Sequence, residues 1–148
     1  MADTLSKSRR SWNMSRIQSK NTKPEQMVRS LLHRAGYRFT INGPLNQKLP
    51  GKPDLVLPKL NTVILVHGCF WHRHEGCKYA YTPKSRKDFW EKKFKQNQAR
   101  DKIVEEKLKA KGWNIFVIWE CEIKASPEEV LSAFDSFVEA MTPDEVLR

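Results

Sequence analysis

Apolar positions in this chain recur with periods of about 3.6 and 2, the spacings of helices and strands. Val28, Leu31, Leu32 and Ala35 share one helical face. Thr22-x-x-Glu25 before them is a capping-box pattern, in which hydroxyl and carboxylate satisfy the open N–H groups of a helix start. Gly36 suits the end of that helix. Tyr37 to Ile41 alternates and predicts a half-buried strand. Asp54 to Leu57, Pro58 to Asn61 and Thr62 to His67 predict a hairpin whose second strand is buried. Residues 68–84 have no period. Ser85-x-x-Asp88 predicts the start of a long charged helix that runs to about Lys111 and ends at Gly112. Its inward stripe is Phe94, Asn97, Asp101, Val104 and Leu108. Trp113 to Glu120 alternates as a central strand. Ser126-Pro127-Glu128-Glu129 opens a last helix with Leu131, Phe134, Val138 and Met141 on one face. The order α-β-β-β-α-β-α predicts an α/β fold, a mixed sheet flanked by helices.

Length and composition limit what such a fold can do. With 148 residues, 39% hydrophobic and 30% charged, the chain is long enough for one domain with a real core. Its longest apolar run is Val63-Ile64-Leu65-Val66, far short of the ~20 residues of a bilayer span, so no membrane role is expected. Met1 to Arg10 has no apolar stretch, so a cytoplasmic protein without a secretory leader is expected. The formal net charge is +10, which points to a polyanionic partner, with nucleic acid the default. Nine basic and two acidic residues fall in 1–38, and eleven and five in 84–111, whereas 120–148 holds two and eight. This segregation suggests two basic surfaces and an acidic back. Residues 1–20 read as a basic DNA-binding arm with Trp12, Met14 and Arg16. Residues 21–148 read as a single domain.

Three cysteines without a leader argue against a disulfide framework. Cys69-x4-His74-x2-Cys77, with Cys121 after the last strand, supplies thiolates and an imidazole, the donor set zinc prefers. Such a site would use every cysteine and give the irregular segment something to fold around. His72 competes as fourth ligand, but the two-residue gap from His74 to Cys77 suits a tight metal turn. The bland reading is three unrelated buried cysteines. A closed Cys3His site leaves no position for substrate, so the metal is assigned to stability.

Chemistry is then sought elsewhere. Pro53-Asp54 opens one predicted strand and His67 ends its neighbour, so the two can meet at one sheet edge. Nucleases use that geometry to hold a hard divalent cation against a scissile phosphate. Asp101 lies on the inward stripe, where an unpaired carboxylate is costly. A cation, a histidine, an arginine or a backbone N–H would each satisfy it. His72 suits general-base work if the loop is rigid, although a surface histidine is ordinary. Phe70-Trp71 and Phe89-Trp90 are adjacent pairs beside Arg73, Lys78 and Lys84. One backbone element cannot easily bury both Phe70 and Trp71 in the same direction, so a wedge that unstacks a base step is the alternative to core packing, whereas Trp90, one turn before Phe94, fits the core.

Asn13-Met14, Glu25, Leu49-Pro50-Gly51-Lys52-Pro53-Asp54, Val66-His67-Gly68-Cys69-Phe70-Trp71-His72, Phe89-Trp90, Asn97-x-x-Arg100-Asp101 and Val117-Ile118-Trp119-Glu120-Cys121 together resemble the very-short-patch-repair DNA mismatch endonucleases. The resemblance spans about residues 10–125. It implies a restriction-endonuclease-like fold and a strand nick 5′ to the thymine of a T·G mismatch left by deamination of 5-methylcytosine. It implies a catalytic Mg2+ on Asp54 and the Val66 carbonyl. His72 becomes the general base beside His67, with Glu25 and Asp101 supporting the hydrated metal. Cys69, His74, Cys77 and Cys121 match the ligands of a structural Zn2+. Phe70, Trp71 and Trp90 match the intercalating aromatics, and the arm around Trp12 and Met14 would reach the opposite groove. A monomer acting on mismatched duplex DNA is expected, with contacts to mismatch-repair proteins left open. Two rivals remain. One is an endonuclease of the same fold cutting a specific matched sequence. The other is a non-catalytic, zinc-stabilised DNA-binding protein.

Overall fold

A computed structural model describes residues 22–141. Helix α1 (Lys23–Arg34) starts at Thr22, whose hydroxyl accepts from the Glu25 N–H at 3.4 Å. Gly36, at φ +95°, lets the chain turn away beyond its end. Next come a short α2 (Pro44–Lys48), β1 (Leu55–Leu57), a 3-10 turn (Pro58–Leu60) and β2 (Thr62–His67). One helical turn, α3 (Cys69–His72), leads through an irregular loop to the long α4 (Lys87–Ala110). Strand β3 (Asn114–Trp119), α5 (Glu120–Ala125) and α6 (Pro127–Met141) follow.

The described sheet has three strands in the order β1-β2-β3. β1 and β2 pair antiparallel through the predicted hairpin, and β2 and β3 pair parallel, with Val66 opposite Ile118 and His67 opposite Trp119. A parallel pair needs a crossover, which α4 supplies. The mixed α/β reading therefore holds, with one correction. β2 is the central strand, and β3 stands at the end of the sheet, most of its residues only half-buried.

Tyr37 to Ile41 does not form a strand. One bridge pairs Thr40 with Val56. Both backbone bonds of that bridge form, and the Asn46 amide braces it by donating to the Thr40 carbonyl at 2.9 Å and to the Pro53 carbonyl at 3.1 Å. In this register the position opposite Arg38 is Pro58, which has no N–H to continue the pairing. Ser85 does not cap α4 either. That helix begins at Lys87 behind a left-handed Arg86, whose guanidinium lies 4.5 Å from the centre of the Phe89 ring.

Side chains of β2 alternate between two layers, as pleating requires. Ile64 packs with Val28, Leu32, Ile118, Ile123, Phe134 and Val138, under α1, α5 and α6. Val63 faces the other way, against Leu49, Val56 and Leu108 under α4. Tyr37 donates its hydroxyl to Asp135 and meets Phe134 edge-on, tying the chain after α1 to α6. Fully burying a side chain such as Phe134 contributes roughly 1.5–3 kcal/mol. Two helical layers thus clamp β2, and its C-terminal end carries Val66 toward α1 and His67 toward α4. No described helix is long and apolar enough to cross a membrane.

Candidate active site

Asp54 lies immediately before β1, and its Oδ2 accepts the Val66 N–H at 2.7 Å. This bond ties the carboxylate to the end of β2. Glu25 comes from α1 and is 6% exposed, with Oε2 3.3 Å from an Arg29 guanidinium nitrogen. Burial pushes the Asp54 carboxyl up to about 7, and Glu25 adds to the rise against the opposing pull of the Val66 N–H and Arg29. Glu25 therefore does more than its place in a capping box implies. Its carboxylate serves the interior beside Asp54.

On the α4 side, the turn of α3 folds His72 back over His67. The imidazoles stack with centroids 3.9 Å apart and planes 5° from parallel. His72 Nδ1 lies 2.6 Å from Asp101 Oδ2, so the partner of Asp101 is a histidine. One turn earlier on the same stripe, Asn97 donates to the Trp71 carbonyl at 3.3 Å. Both polar residues of the stripe thus hold α3. Burial, with His72 beside it, pushes His67 down to about 4, so it is neutral at physiological pH. A cavity of about 410 Å³ opens here, lined by His67, His72, Gln98, Asp101, Lys102 and Trp119 among others.

Arg73, in the left-handed region at φ 57°, reverses the chain between the two histidines. His72 consequently faces Asp101, and His74 joins the cysteines. Ligand atoms of Cys69, His74, Cys77 and Cys121 all lie within 4.8 Å of one another. His74 Nδ1 is 3.3 Å from the Cys121 sulfur and 3.6 Å from that of Cys69, and the three cysteines form no disulfide. Burial and the neighbouring thiols push Cys121 up to about 12. Such crowding of sulfurs is what a soft-ligand cation relieves, and this cluster could hold a metal. Trp119 separates the two histidine sites, stacked on His74 at 4.2 Å and edge-on to His67 at 5.2 Å.

Phe70, Trp71 and Trp90 are brought together. Phe70 meets Trp71 at 5.1 Å and Trp90 at 5.5 Å, and Trp71 meets Trp90 at 5.8 Å. Adjacency in the chain did not drive Phe70 and Trp71 apart, because the tight α3 turn lets both rings lean on α4. All three remain half-buried. Trp12, Met14 and Arg16 lie outside the described residues. Sequence reasoning missed Arg29, and it named Arg73 only as a basic neighbour of the aromatics and Trp119 only as part of a matched block, without the contacts they make here. Arg29 carried a signal of its own, its position one helical turn after Glu25.

Residues 2–79 match the family model described as DNA mismatch endonuclease Vsr. The type II nicking enzyme V.XorIIP of Xanthomonas oryzae is 50% identical over 123 residues, covering 83% of this chain and 88% of that protein. The type II nicking enzyme V.NmeAIP of Neisseria meningitidis is 44% identical over 84% of this chain and 86% of its own length. The DNA mismatch endonuclease Vsr of Escherichia coli is 37% identical over 84% of this chain and 77% of its own length.

Proposed function

Because the chain belongs to the DNA mismatch endonuclease Vsr family and is an endonuclease acting on DNA, we propose that it hydrolyses one strand 5′ to the thymine of a T·G mismatch, with Mg2+ as catalytic metal. The relatives named nicking enzymes support a single-strand cut. The observation that carries the reading is the meeting of two different groups at the end of β2. A carboxylate pair, Glu25 buried and Asp54 half-buried, lies on one side, and a histidine oriented by Asp101 lies on the other.

Oxygen donors with surplus negative charge fit a hard divalent cation. Asp54 and the Val66 carbonyl would hold it, with Glu25 and Asp101 ordering the surrounding water. Bound there, the ion supplies Lewis acidity at the scissile phosphate. The thiol and imidazole cluster of Cys69, His74, Cys77 and Cys121 fits zinc and would brace the loop without entering the chemistry.

The chain's own residues do the rest. With Nδ1 engaged by Asp101, His72 presents Nε2 to take a proton from the attacking water. Asp101 then stabilises the imidazolium that forms, much as the acid of a catalytic triad does. Neutral His67, stacked beneath His72, holds that ring in place without adding a competing charge. Phe70, Trp71 and Trp90 would enter the helix beside the mismatch, where unstacking costs less than in paired DNA. The basic face of α4 and the arm at 1–20 would bind the phosphates in a salt-dependent way. Acids, histidines and sulfur ligands all come from one chain, which supports a monomer as the working unit.

Nicking of T·G and C·G duplexes of one sequence, with and without magnesium, tests the proposal. We expect a magnesium-dependent nick in the T·G duplex alone, abolished in Asp54→Ala while DNA binding persists. Equal cutting of both duplexes would overturn the mismatch assignment, and an active Asp54→Ala would overturn the metal assignment.

A further inference from the structure

Arg73 does more than turn the chain. Its guanidinium donates to the carbonyls of Phe70 at 3.2 Å, Ala80 at 2.8 Å and Tyr81 at 2.9 Å, and to the Thr82 hydroxyl at 3.2 Å. Its face lies 3.8 Å from the centre of the Phe94 ring. All four acceptors are neutral. A planar fork that satisfies several carbonyls while stacking on a ring is a role lysine cannot fill. The clamp fastens residues 80–82, which lie outside helices and strands, to the aromatic cluster.

Tyr81 lies at the centre of the clamped stretch. The residue is 62% exposed, the most open of the large apolar residues among those described. Its ring nevertheless touches Phe70, at 5.1 Å and 47°. An aromatic on a loose loop would pay ordering entropy each time it bound something, and this backbone is already fixed. Lys78, Lys84 and Arg86 flank it in the chain.

Resting on the reading above, we propose that Tyr81 is a further DNA-contacting residue. Its ring stacks on a nucleobase next to the step opened by Phe70, Trp71 and Trp90, and Arg73 is the positioning residue that holds it there. The open ring face, the fixed carbonyl and the contact with Phe70 together form an added step on the stacking platform. Aromatic platforms of this kind bind unstacked bases without reading their identity.

The test is equilibrium binding of the full chain to a T·G duplex carrying 2-aminopurine beside the mismatch, with magnesium omitted. Tyr81→Ala should weaken Kd by about 5- to 150-fold, the range of one base–aromatic stack. It should also change the 2-aminopurine signal and leave the salt dependence of Kd unaltered. Tyr81→Phe should restore parental binding. Arg73→Met, with Tyr81 intact, should reproduce the loss, and the double variant should add little to it. Bound metal content and Tm identify an Arg73 variant that has lost its fold, and Tyr81→Ala then decides alone. Binding by Tyr81→Ala within about twofold of the parent would overturn the proposal. So would a weakened Tyr81→Phe, or a salt slope reduced by about one, the mark of a lost phosphate contact. A parent protein that binds T·G and C·G duplexes equally would sink the mismatch reading instead, and the Tyr81 comparison would stand on either duplex.

Discussion

His72 Nδ1 and Asp101 Oδ2 meet at 2.6 Å although 29 positions separate them in the chain. One belongs to a single helical turn at the end of the sheet and the other to the middle of a long helix. Their contact turns an irregular loop into a wall of the cavity beside His67.

Asp101→Asn keeps the shape of this pair and removes the charge. The amide stabilises an imidazolium poorly and permits the wrong tautomer, so the single-turnover nicking rate should fall by about 10²–10⁴. Duplex affinity, measured by anisotropy, should stay near the parent value. His72→Ala should lose a comparable factor and the double variant little more, because the two act as a unit.

Without metal, Asp54 keeps its proton up to about 7, above the 3.8 of an open chain. A raised carboxyl adds stability that is complete below pH 3.8 and lost as pH climbs through 7. His67, lowered from 6.5 to about 4, adds stability that is present above pH 6.5 and lost as pH falls through 4. At full extent the effects are on the order of 4 kcal/mol for Asp54 and 3 kcal/mol for His67, and they oppose one another between. Thermal melts of chelated protein separate them. The Tm of Asp54→Asn should fall as pH drops from 7 to 4, and that of His67→Gln should rise. Parallel curves would refute both assignments.

The Cys/His cluster makes a distinction that metal analysis can read. Cys69→Ser, Cys77→Ser, Cys121→Ser and His74→Ala should each reduce bound zinc and lower Tm. His72→Ala should keep the zinc. A His72 variant that loses metal while His74→Ala keeps it would reverse the ligand assignment.

Gly51 has φ +74°, and a Cβ built there would lie 2.5 Å from Val104 Cγ1. Gly51→Ala should therefore cost about 1–3 kcal/mol, seen in a denaturant melt. Val104→Ala in the same chain should recover part of the loss, since it relieves the clash and leaves the backbone strain. Gly51 leads into Asp54, and Val104 lies one turn beyond Asp101. Nicking should fall along with stability.

Both the Cys/His spacing that gathers into one cluster and the helical periodicity were legible before any coordinates. The capped start of α1, the hairpin and the Pro127 helix start rest on local chemistry, so reading along the chain finds them. The stripe from Phe94 to Leu108 also follows from period alone, including the awkward inward position of Asp101. Tyr37 to Ile41 misled because alternation predicts strand geometry and cannot reveal that its partner beyond Val56 is Pro58, which has no N–H to pair.

Local sequence therefore determined which residues could serve: the acids, the imidazoles, the sulfurs and the aromatics, each in its own element. Only tertiary structure decided which of them share a site. A left-handed Arg73 sends two nearby histidines to different partners, and the β2–β3 register sets Trp119 between them. The rise of the Asp54 carboxyl comes from its burial and from Glu25, which α1 brings beside it. Backbone reversals and desolvation arise from contacts distant in the chain, so no local pattern encodes them.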